Sequence, residues 1–312
     1  MRLSNQSRYL LLMNIKKDKQ MVPILQNVFT KRNLENIYVY HQSNINEKAL
    51  HKIGLIPSKI NIAHDFDSLY QYLDQNYRDE YIFKNELLKQ LVIKVGTNKV
   101  SALRELTVAD CIADFAVCKA NDTEIFEIKT GLDSLSRLAN QLNNYYQAFT
   151  KVSVVSTPQY IKQLKANLPI SSIGLYILHK NDRLEQVKAP DFNSSMLNYE
   201  SIFFILRAKE KENIIKACFG ELPHVGIYYY EDELLKMFKQ LPILQAQQLL
   251  NKQLQLRLLG LYHQQPELLL DFPSSLYELI YFGNYSKRKA KKLQELILNG
   301  KDEVNELTYG YE

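Results

Sequence analysis

The sequence predicts a mixed α/β (α+β) fold in which helices flank a small sheet. Several short segments have the apolar alternation or the continuous apolar character of strands, and a long amphipathic segment separates the second from the third. Hydrophobic residues make up 46% of the chain and charged residues 23%, as is usual for a folded globular protein. An order of helix, strands, helix and strand is typical of the α/β class.

These elements lie in the middle of the chain. A helix is predicted over residues 84–95, where Leu87, Leu88 and Leu91 recur on one face. A second helix is predicted over residues 134–150, with Asp133 as its N-cap. Strands are predicted at residues 111–118, 124–130, 152–156 and 173–178.

The length of 312 residues suits about two domains. The pattern of predicted elements divides the chain into three regions. Residues 1–77 are predicted to be mixed and mainly helical, with a short strand at 36–40. Residues 78–190 form the α/β core. Residues 191–312 are predicted to be mostly helical, with a short strand at 226–230. The basic run at 287–292 fits either a solvated helix face or a phosphate contact.

Composition removes several classes of function. The chain has 10 glycines and contains neither G-x-G-x-x-G nor G-x-x-x-x-G-K-[ST], so nucleotide-cradling loops of those types are not expected. Its 3 cysteines form no C-x-x-C pair, and no apolar run reaches the ~18 residues of a membrane span. A cytoplasmic protein with no membrane contact is therefore expected. The net charge of +5 is too small to identify a partner.

One hairpin carries the chemistry. A two-residue turn is predicted at Asn121 and Asp122, and it places Asp114 opposite Lys129, with Glu127 on the same face. The other face is uniformly apolar and consists of Phe115, Val117, Phe126 and Ile128. One face of the hairpin is thus expected in the core, whereas the other holds two carboxylates and an ammonium group.

This set of groups suits metal-assisted phosphodiester hydrolysis. Mg²⁺ prefers oxygen ligands and is usually held by one or two carboxylates with several waters. A lysine beside the carboxylates can orient or deprotonate a water and stabilise charge on a phosphoryl oxygen.

The same stretch resembles the PD-(D/E)XK nuclease superfamily. Ala113-Asp114 is followed after twelve residues by Glu127-Ile128-Lys129, and a helix follows. The pattern is also similar to an uncharacterised bacterial branch of that superfamily with the signature EIK, then DSL-x-RL-x-x-Q and a tyrosine. Ala113 stands where the family name has proline, a departure that leaves the acids in place.

The resemblance implies a restriction-endonuclease-like core of order αβββαβ and a set of residue roles. Asp114 and Glu127 match the metal-binding acids, the backbone carbonyl of Ile128 matches a further metal ligand, and Lys129 matches the catalytic lysine. Glu86 fits an additional acid from the first core helix, with Glu105 as the alternative.

The helix after the second of these strands adds a polar flank. Arg137, Gln141 and Tyr145 recur every four residues, so they share one side of the helix and can reach the metal site or a phosphate. A solvated helix flank is the alternative for all three.

The sequence therefore predicts an enzyme, a nuclease that hydrolyses DNA with Mg²⁺ or Mn²⁺, and a homodimer is compatible with it. Two alternatives stay open. One is a catalytically silent nucleic-acid-binding or assembly module with the nuclease fold, and the other is an RNA-directed nuclease. Phage defence, a mobile element or DNA repair would each suit such a protein.

Overall fold

The computed structural model describes residues 23–58, 61–119, 122–130, 133–180, 182–257, 262 and 265–299. Within these ranges the chain forms two compact units. The first contains the described residues up to Asn85 and those from Gln265 onward, and the second runs from Glu86 to Gln264.

The described part of the first unit is helical. Its elements are α1 (residues 23–28), α2 (Lys31–Tyr40), α3 (Asn44–Ile53), α4 (Ile62–Asn76), the start of α5 (Glu80–Leu88), α12 (Glu267–Leu270), α13 (Tyr277–Phe282) and α14 (Lys287–Asn299). Helix α14 packs against α2 and α4, and α3 packs against α4.

A buried polar cluster fixes the junction of α2 and α3. The side chain of Asn33 donates to Asn46 Oδ1 at 2.8 Å, and Ser43 Oγ donates to Asn33 Oδ1 at 3.0 Å. Ser43 also caps α3, because its Oγ accepts from the backbone N–H of Asn46. Buried amides need such partners, so this cluster specifies how the two helices meet.

The second unit is built on one six-stranded sheet. The strands are β1 (Ser101–Val108), β2 (Cys111–Lys119), β3 (Asp122–Lys129), β4 (Lys151–Ser156), β5 (Gly174–Leu178) and β6 (Leu184–Lys188), and their spatial order is β1-β2-β3-β4-β5-β6. The pairs β1–β2, β2–β3 and β5–β6 are antiparallel, whereas β3–β4 and β4–β5 are parallel. The mixed α/β class is confirmed.

Helices complete this unit. The end of α5 continues into a π-helical turn (Lys89–Ile93), and α6 (Leu138–Tyr146) and α7 (Ile161–Asn167) connect β3 to β4 and β4 to β5. After the sheet come α8 (Tyr199–Ile205), α9 (Ala208–Phe219), α10 (Ile227–Phe238) and α11 (Ile243–Leu256). Side chains of α6 and of α8 to α11 share one buried cluster with Ala116, Cys118 and Ile125 of the hairpin.

The hairpin register differs from the predicted one by two residues. Phe115 pairs with Phe126 and Lys119 pairs with Asp122, whereas the predicted register would pair Phe115 with Ile128. Asn121 lies outside the described residues. Since side chains alternate with period two, a shift of two leaves every side chain on its predicted face. Extended by one pair, this register puts Asp114 opposite Glu127 instead of Lys129.

Two predicted strands are helices. Residues 36–40 belong to α2 and residues 226–230 include the start of α10. In each case a helical spacing of buried residues overrides the β-branched and aromatic composition: Leu34 and Ile37 are buried in α2, and Leu234 and Phe238 in α10. The four predicted core strands are present, and β1 and β6 were not predicted.

The two units do not follow the three predicted regions. Helices α8 to α11 lie in the predicted third region, yet they pack with the sheet. Helices α12 to α14 also lie in that region and belong to the first unit instead. No helix in the described ranges has the length and apolar content needed to cross a membrane.

A buried ion pair joins the end of α11 to α8 and α9. Arg257 donates from Nε to Glu210 Oε1 at 2.6 Å and from Nη2 to the carbonyl of Ile205, and Glu210 Oε2 accepts from the backbone N–H of Arg207. Burial raises the pKa of Glu210, but hydrogen bonds and charge from Arg257 and Arg207 outweigh it, so the pKa lies below its usual value.

Because the folded-state pKa of Glu210 is lowered, its stabilisation is present at neutral pH and is lost as the pH falls below about 4.5. We expect Glu210→Gln to lower the urea midpoint at pH 7, and the gap from the unsubstituted protein to shrink between pH 5 and 3. The control is Glu221→Gln at an exposed position after α9. A gap that is constant over this range would contradict the assignment.

Candidate nuclease-like site

The candidate site lies where β2 and β3 face α6. Asp114 is held in place by the backbone, because its Oδ2 accepts from the N–H of Ile128 at 2.7 Å. Glu127 and Lys129 are two residues apart on β3, so their side chains leave the same face of the sheet. The hairpin therefore brings the three residues of the predicted catalytic set to one place.

Glu127 and Lys129 form a buried ion pair. The ammonium of Lys129 lies 2.6 Å from Glu127 Oε1, and the two residues are 7% and 1% exposed respectively. Such a pair is stabilised only when its other hydrogen-bonding positions are also satisfied, since both charges have left water. Helix α6 supplies those partners.

Tyr145 and Gln141 reach the pair from α6. The Tyr145 hydroxyl lies 2.6 Å from Glu127 Oε2 and 2.8 Å from the carbonyl oxygen of Ile112, and its one proton donates to either acceptor. Lys129 also donates to Gln141 Oε1 at 3.1 Å. Two of the three polar residues predicted on this helix thus contact the buried pair directly.

Electrostatics indicate how closely these groups are packed. Burial raises the pKa of Tyr145 far above its usual value, and the negative charges of Glu127 and Asp114 raise it further. The hydroxyl therefore keeps its proton at all physiological pH values. The charge of Asp114 also raises this pKa. Geometry places Asp114 beside Glu127, because its Oδ2 accepts from the N–H of the next residue, Ile128.

Arg137 is the exposed member of the predicted flank. It lies just before α6, and its exposed side chain makes no hydrogen bond or ion pair with Glu127 or Lys129. Its charge opposes the raised pKa of Cys111, which burial and the charges of Glu127 and Asp110 produce. The guanidinium is thus within electrostatic reach of the site.

The two candidates for an additional acid lie in different places. Glu86 is fully buried on α5, and its Oε1 lies 2.6 Å from the Lys89 ammonium. Glu105 is exposed on β1, where the register places it opposite Asp114 with a φ of 53°. Across the described ranges, no three His, Cys, Asp or Glu side chains are close enough to ligate one metal ion. Neither glutamate therefore joins Asp114 and Glu127 as a third ligand.

Several contacts at the site were not predicted. Asn144 donates to Cys111 Sγ at 3.3 Å, and Ser156 Oγ donates to the backbone carbonyl of Lys129 at 2.5 Å. The serine at the end of β4 is the signal that could have revealed the second contact, since β4 runs parallel to β3 and pairs Lys129 with Ser156.

The donor set is compatible with Mg²⁺. Asp114 and Glu127 provide hard carboxylate oxygens, and Mg²⁺ commonly binds through only one or two carboxylates and keeps several waters. Both Glu127 oxygens already accept one hydrogen bond, but each carboxylate oxygen has two lone pairs. Lys129 and Tyr145 contact Glu127, and Gln141 contacts Lys129, so these side chains hold the Glu127 carboxylate in position.

Comparison with known proteins identifies the family of the chain. The family model of bacteriophage P4 protein cII matches residues 74–259, which is more than half of the chain. The chain belongs to the bacteriophage P4 protein cII family. The matched range contains α5, the whole sheet and α6 to α11, so the candidate site lies within the part that matches the P4 cII family model.

A curated relative is similar over a shorter stretch. Protein cII of Enterobacteria phage P4 is 25% identical over 134 residues, which cover 41% of this chain and 50% of that protein. The chain thus spans about half the length of the P4 cII relative that it matches. No solved structure matches the chain.

The burial of the Glu127–Lys129 pair generates a stability prediction. Lys129→Met should lower the free energy of unfolding by about 3–5 kcal/mol, because it leaves the Glu127 carboxylate buried without its cation. The double variant Glu127→Gln/Lys129→Met should be less destabilised than the sum of the two single variants. Urea unfolding of all four proteins measures this.

Lys151→Met is the matched control. Its ammonium also lies 2.6 Å from a carboxylate, that of Asp122, but the two side chains are 34% and 31% exposed. Its loss should therefore be below about 1 kcal/mol. Equal losses in Lys129→Met and Lys151→Met would show that the burial of the Glu127 pair has no energetic consequence.

Proposed function

We propose that the protein is a metal-dependent nuclease of the PD-(D/E)XK type that hydrolyses phosphodiester bonds in DNA with Mg²⁺ or Mn²⁺. The observation that carries the proposal is the convergence of Asp114, Glu127 and Lys129 at the end of the β2–β3 hairpin. An acid pair beside a lysine is the combination that metal-assisted hydrolysis requires.

The order of elements supports the same proposal. From α5 to β4 the chain runs helix, three strands, helix and strand, which is the αβββαβ order that the resemblance implies. Strands β1 to β3 are antiparallel neighbours, and β4 lies parallel to β3 after the α6 crossover. Strands β5 and β6 extend this arrangement at one edge.

Each residue has a distinct task in this proposal. Asp114 and Glu127, with the backbone carbonyl of Ile128, would hold the metal ion, which supplies Lewis-acid stabilisation of the phosphoryl oxygens when bound. Lys129 would orient the attacking water, and Gln141 and Tyr145 would hold Lys129 and Glu127 in position. Arg137 is exposed beside the site and would contact a phosphate of the substrate.

A second candidate function is favoured by the burial of the same groups. Glu127 is 1% exposed, and both of its oxygens already accept hydrogen bonds from Lys129 and Tyr145. A nuclease-like fold that serves as a catalytically silent binding or assembly module would use this network for packing alone. In that case the protein would bind no metal ion at Glu127.

Asp114→Asn is the sharpest test of catalysis. The amide keeps an oxygen that can accept from the Ile128 N–H, so the hairpin should remain folded, while one metal-binding charge is lost. We expect at least about a 100-fold loss of cleavage, because metal-ion stabilisation contributes several kcal/mol to such reactions. Single- and double-stranded DNA and RNA are tested with Mg²⁺ and Mn²⁺.

The control is Asp110→Asn, at an exposed acid in the turn before β2. It removes the same charge four residues away and should cleave as the unsubstituted protein does. Cleavage that survives in Asp114→Asn would overturn the assignment of the site. Calorimetry that detects no Mg²⁺ or Mn²⁺ binding, with or without DNA, would favour the catalytically silent module. If the protein cleaves RNA and not DNA, the substrate is RNA.

A further inference from the structure

The first unit contains a cavity that the proposed catalytic site does not use. It has a volume of about 710 Å³ and lies among α1, α2 and α3. Four basic side chains line it, together with two isoleucines and neutral polar residues. We call this cavity the basic groove; its basic and apolar lining residues are Arg32, Lys48, His51, Lys52, Ile24 and Ile45.

Three cationic side chains from two helices line the basic groove. Lys48 and Lys52 are four residues apart on α3 and therefore lie on one face of that helix, while Arg32 comes from the first turn of α2. All three residues are exposed. Within the described part of the chain, none of the three has a carboxylate at ion-pair distance.

The basic groove is positive because cations line it and acidic residues do not. The described residues of the first unit include eleven Lys and Arg and eleven Asp and Glu, so these residues have no excess of cations. No acidic residue lines the basic groove. Glu35, the acid of α2, is bound instead by the Lys289 ammonium at 2.6 Å. The groove is therefore an electropositive concavity among described residues whose formal charges balance.

A second basic surface adjoins α2. Helix α14 packs against α2, and its exposed residues include Lys287, Arg288 and Lys291. Lys289 of the same helix lies over the ring of Tyr38, with its Nζ 4.9 Å from the ring centroid. The basic run of α14 thus adds cations on a helix that packs against α2, one of the helices that line the groove.

We propose that the basic groove binds the phosphate backbone of a single-stranded nucleic acid. Repeated cations match the repeated charges of a phosphodiester chain, and their contacts release condensed counterions. The cavity volume lies within the range of ligand-binding pockets, and its two isoleucines offer apolar contact beside the cations. A rigid duplex would reach only the rim.

The inference goes beyond hydrolysis at Glu127, because binding at the basic groove requires neither a metal ion nor cleavage. The test uses the full chain in EDTA, so that no substrate is cut. Fluorescence anisotropy with a labelled single-stranded oligonucleotide of mixed sequence is recorded between 50 and 200 mM salt. The variant is Arg32→Gln/Lys48→Gln/Lys52→Gln, in which only exposed side chains change.

We expect the triple variant to bind at least about tenfold more weakly, with a salt slope lower by about 2, since each phosphate contact on a single strand contributes about 0.7. The control triple Lys209→Gln/Lys216→Gln/Lys236→Gln removes the same charge from exposed positions of α9 and α10. It should keep the affinity and the salt slope of the unsubstituted protein.

Equal losses in the two triple variants would overturn the proposal, and so would no loss in either. A larger effect on duplex than on single-stranded oligonucleotide would overturn the choice of ligand. Loss of binding to anionic phosphatidylserine vesicles with oligonucleotide binding intact would identify a membrane surface instead. If the protein cleaves nothing with any metal ion but the groove variant still binds selectively worse, the proposed catalysis fails and this inference stands.

Discussion

The structure around the β2–β3 hairpin depends on keeping one carboxylate out of water. Glu127 is almost fully buried, so its charge needs an opposite charge and hydrogen-bond donors inside the protein. Lys129 of β3 supplies the charge, and Tyr145 of α6 donates to the second oxygen. Tyr145 in turn contacts the carbonyl of Ile112 on β2. One carboxylate therefore links two strands and a helix, and it constrains how α6 lies on the sheet.

Much of this could be predicted because it follows from period-two alternation. The apolar set of Phe115, Val117, Phe126 and Ile128 forces one face of the hairpin into a core, so Asp114, Glu127 and Lys129 must lie on the other. The predicted register was wrong by two residues, which leaves every side chain on its predicted face. The face of Asp114 and Glu127 is nevertheless buried as well, because Ala116, Cys118 and Ile125 pack there against α6 and α8 to α11. A pattern argument is therefore more robust for the face of a side chain than for its partner across the ladder.

Other features could not be predicted because they depend on contacts distant in sequence. Residues 226–230, Gly-Ile-Tyr-Tyr-Tyr, have a strand-like composition, but Leu234 and Phe238 bury a helical stripe that only tertiary packing can use. The division of the chain has the same origin: α12 to α14 pack with the first unit although nearly 180 residues separate them from Asn85. The carbonyl of Ser274, which accepts from Asn85 at 2.9 Å, carries no signal in the local sequence.

Lys129 and the cations of the basic groove differ in one respect: only Lys129 lies in the range that matches the family model. The P4 cII family model covers residues 74–259, which include Lys129 and Arg137 but neither the basic groove nor α14. A cation at Lys129 is constrained by a buried carboxylate and belongs to the packing of the matched region. The cations of the basic groove have no such packing duty: they are exposed, and Arg32, Lys48 and Lys52 face a cavity that contains no acid. These cations repel one another, and no acidic residue that lines the cavity offsets the repulsion. Binding of a polyanion would therefore lower the electrostatic energy of the groove.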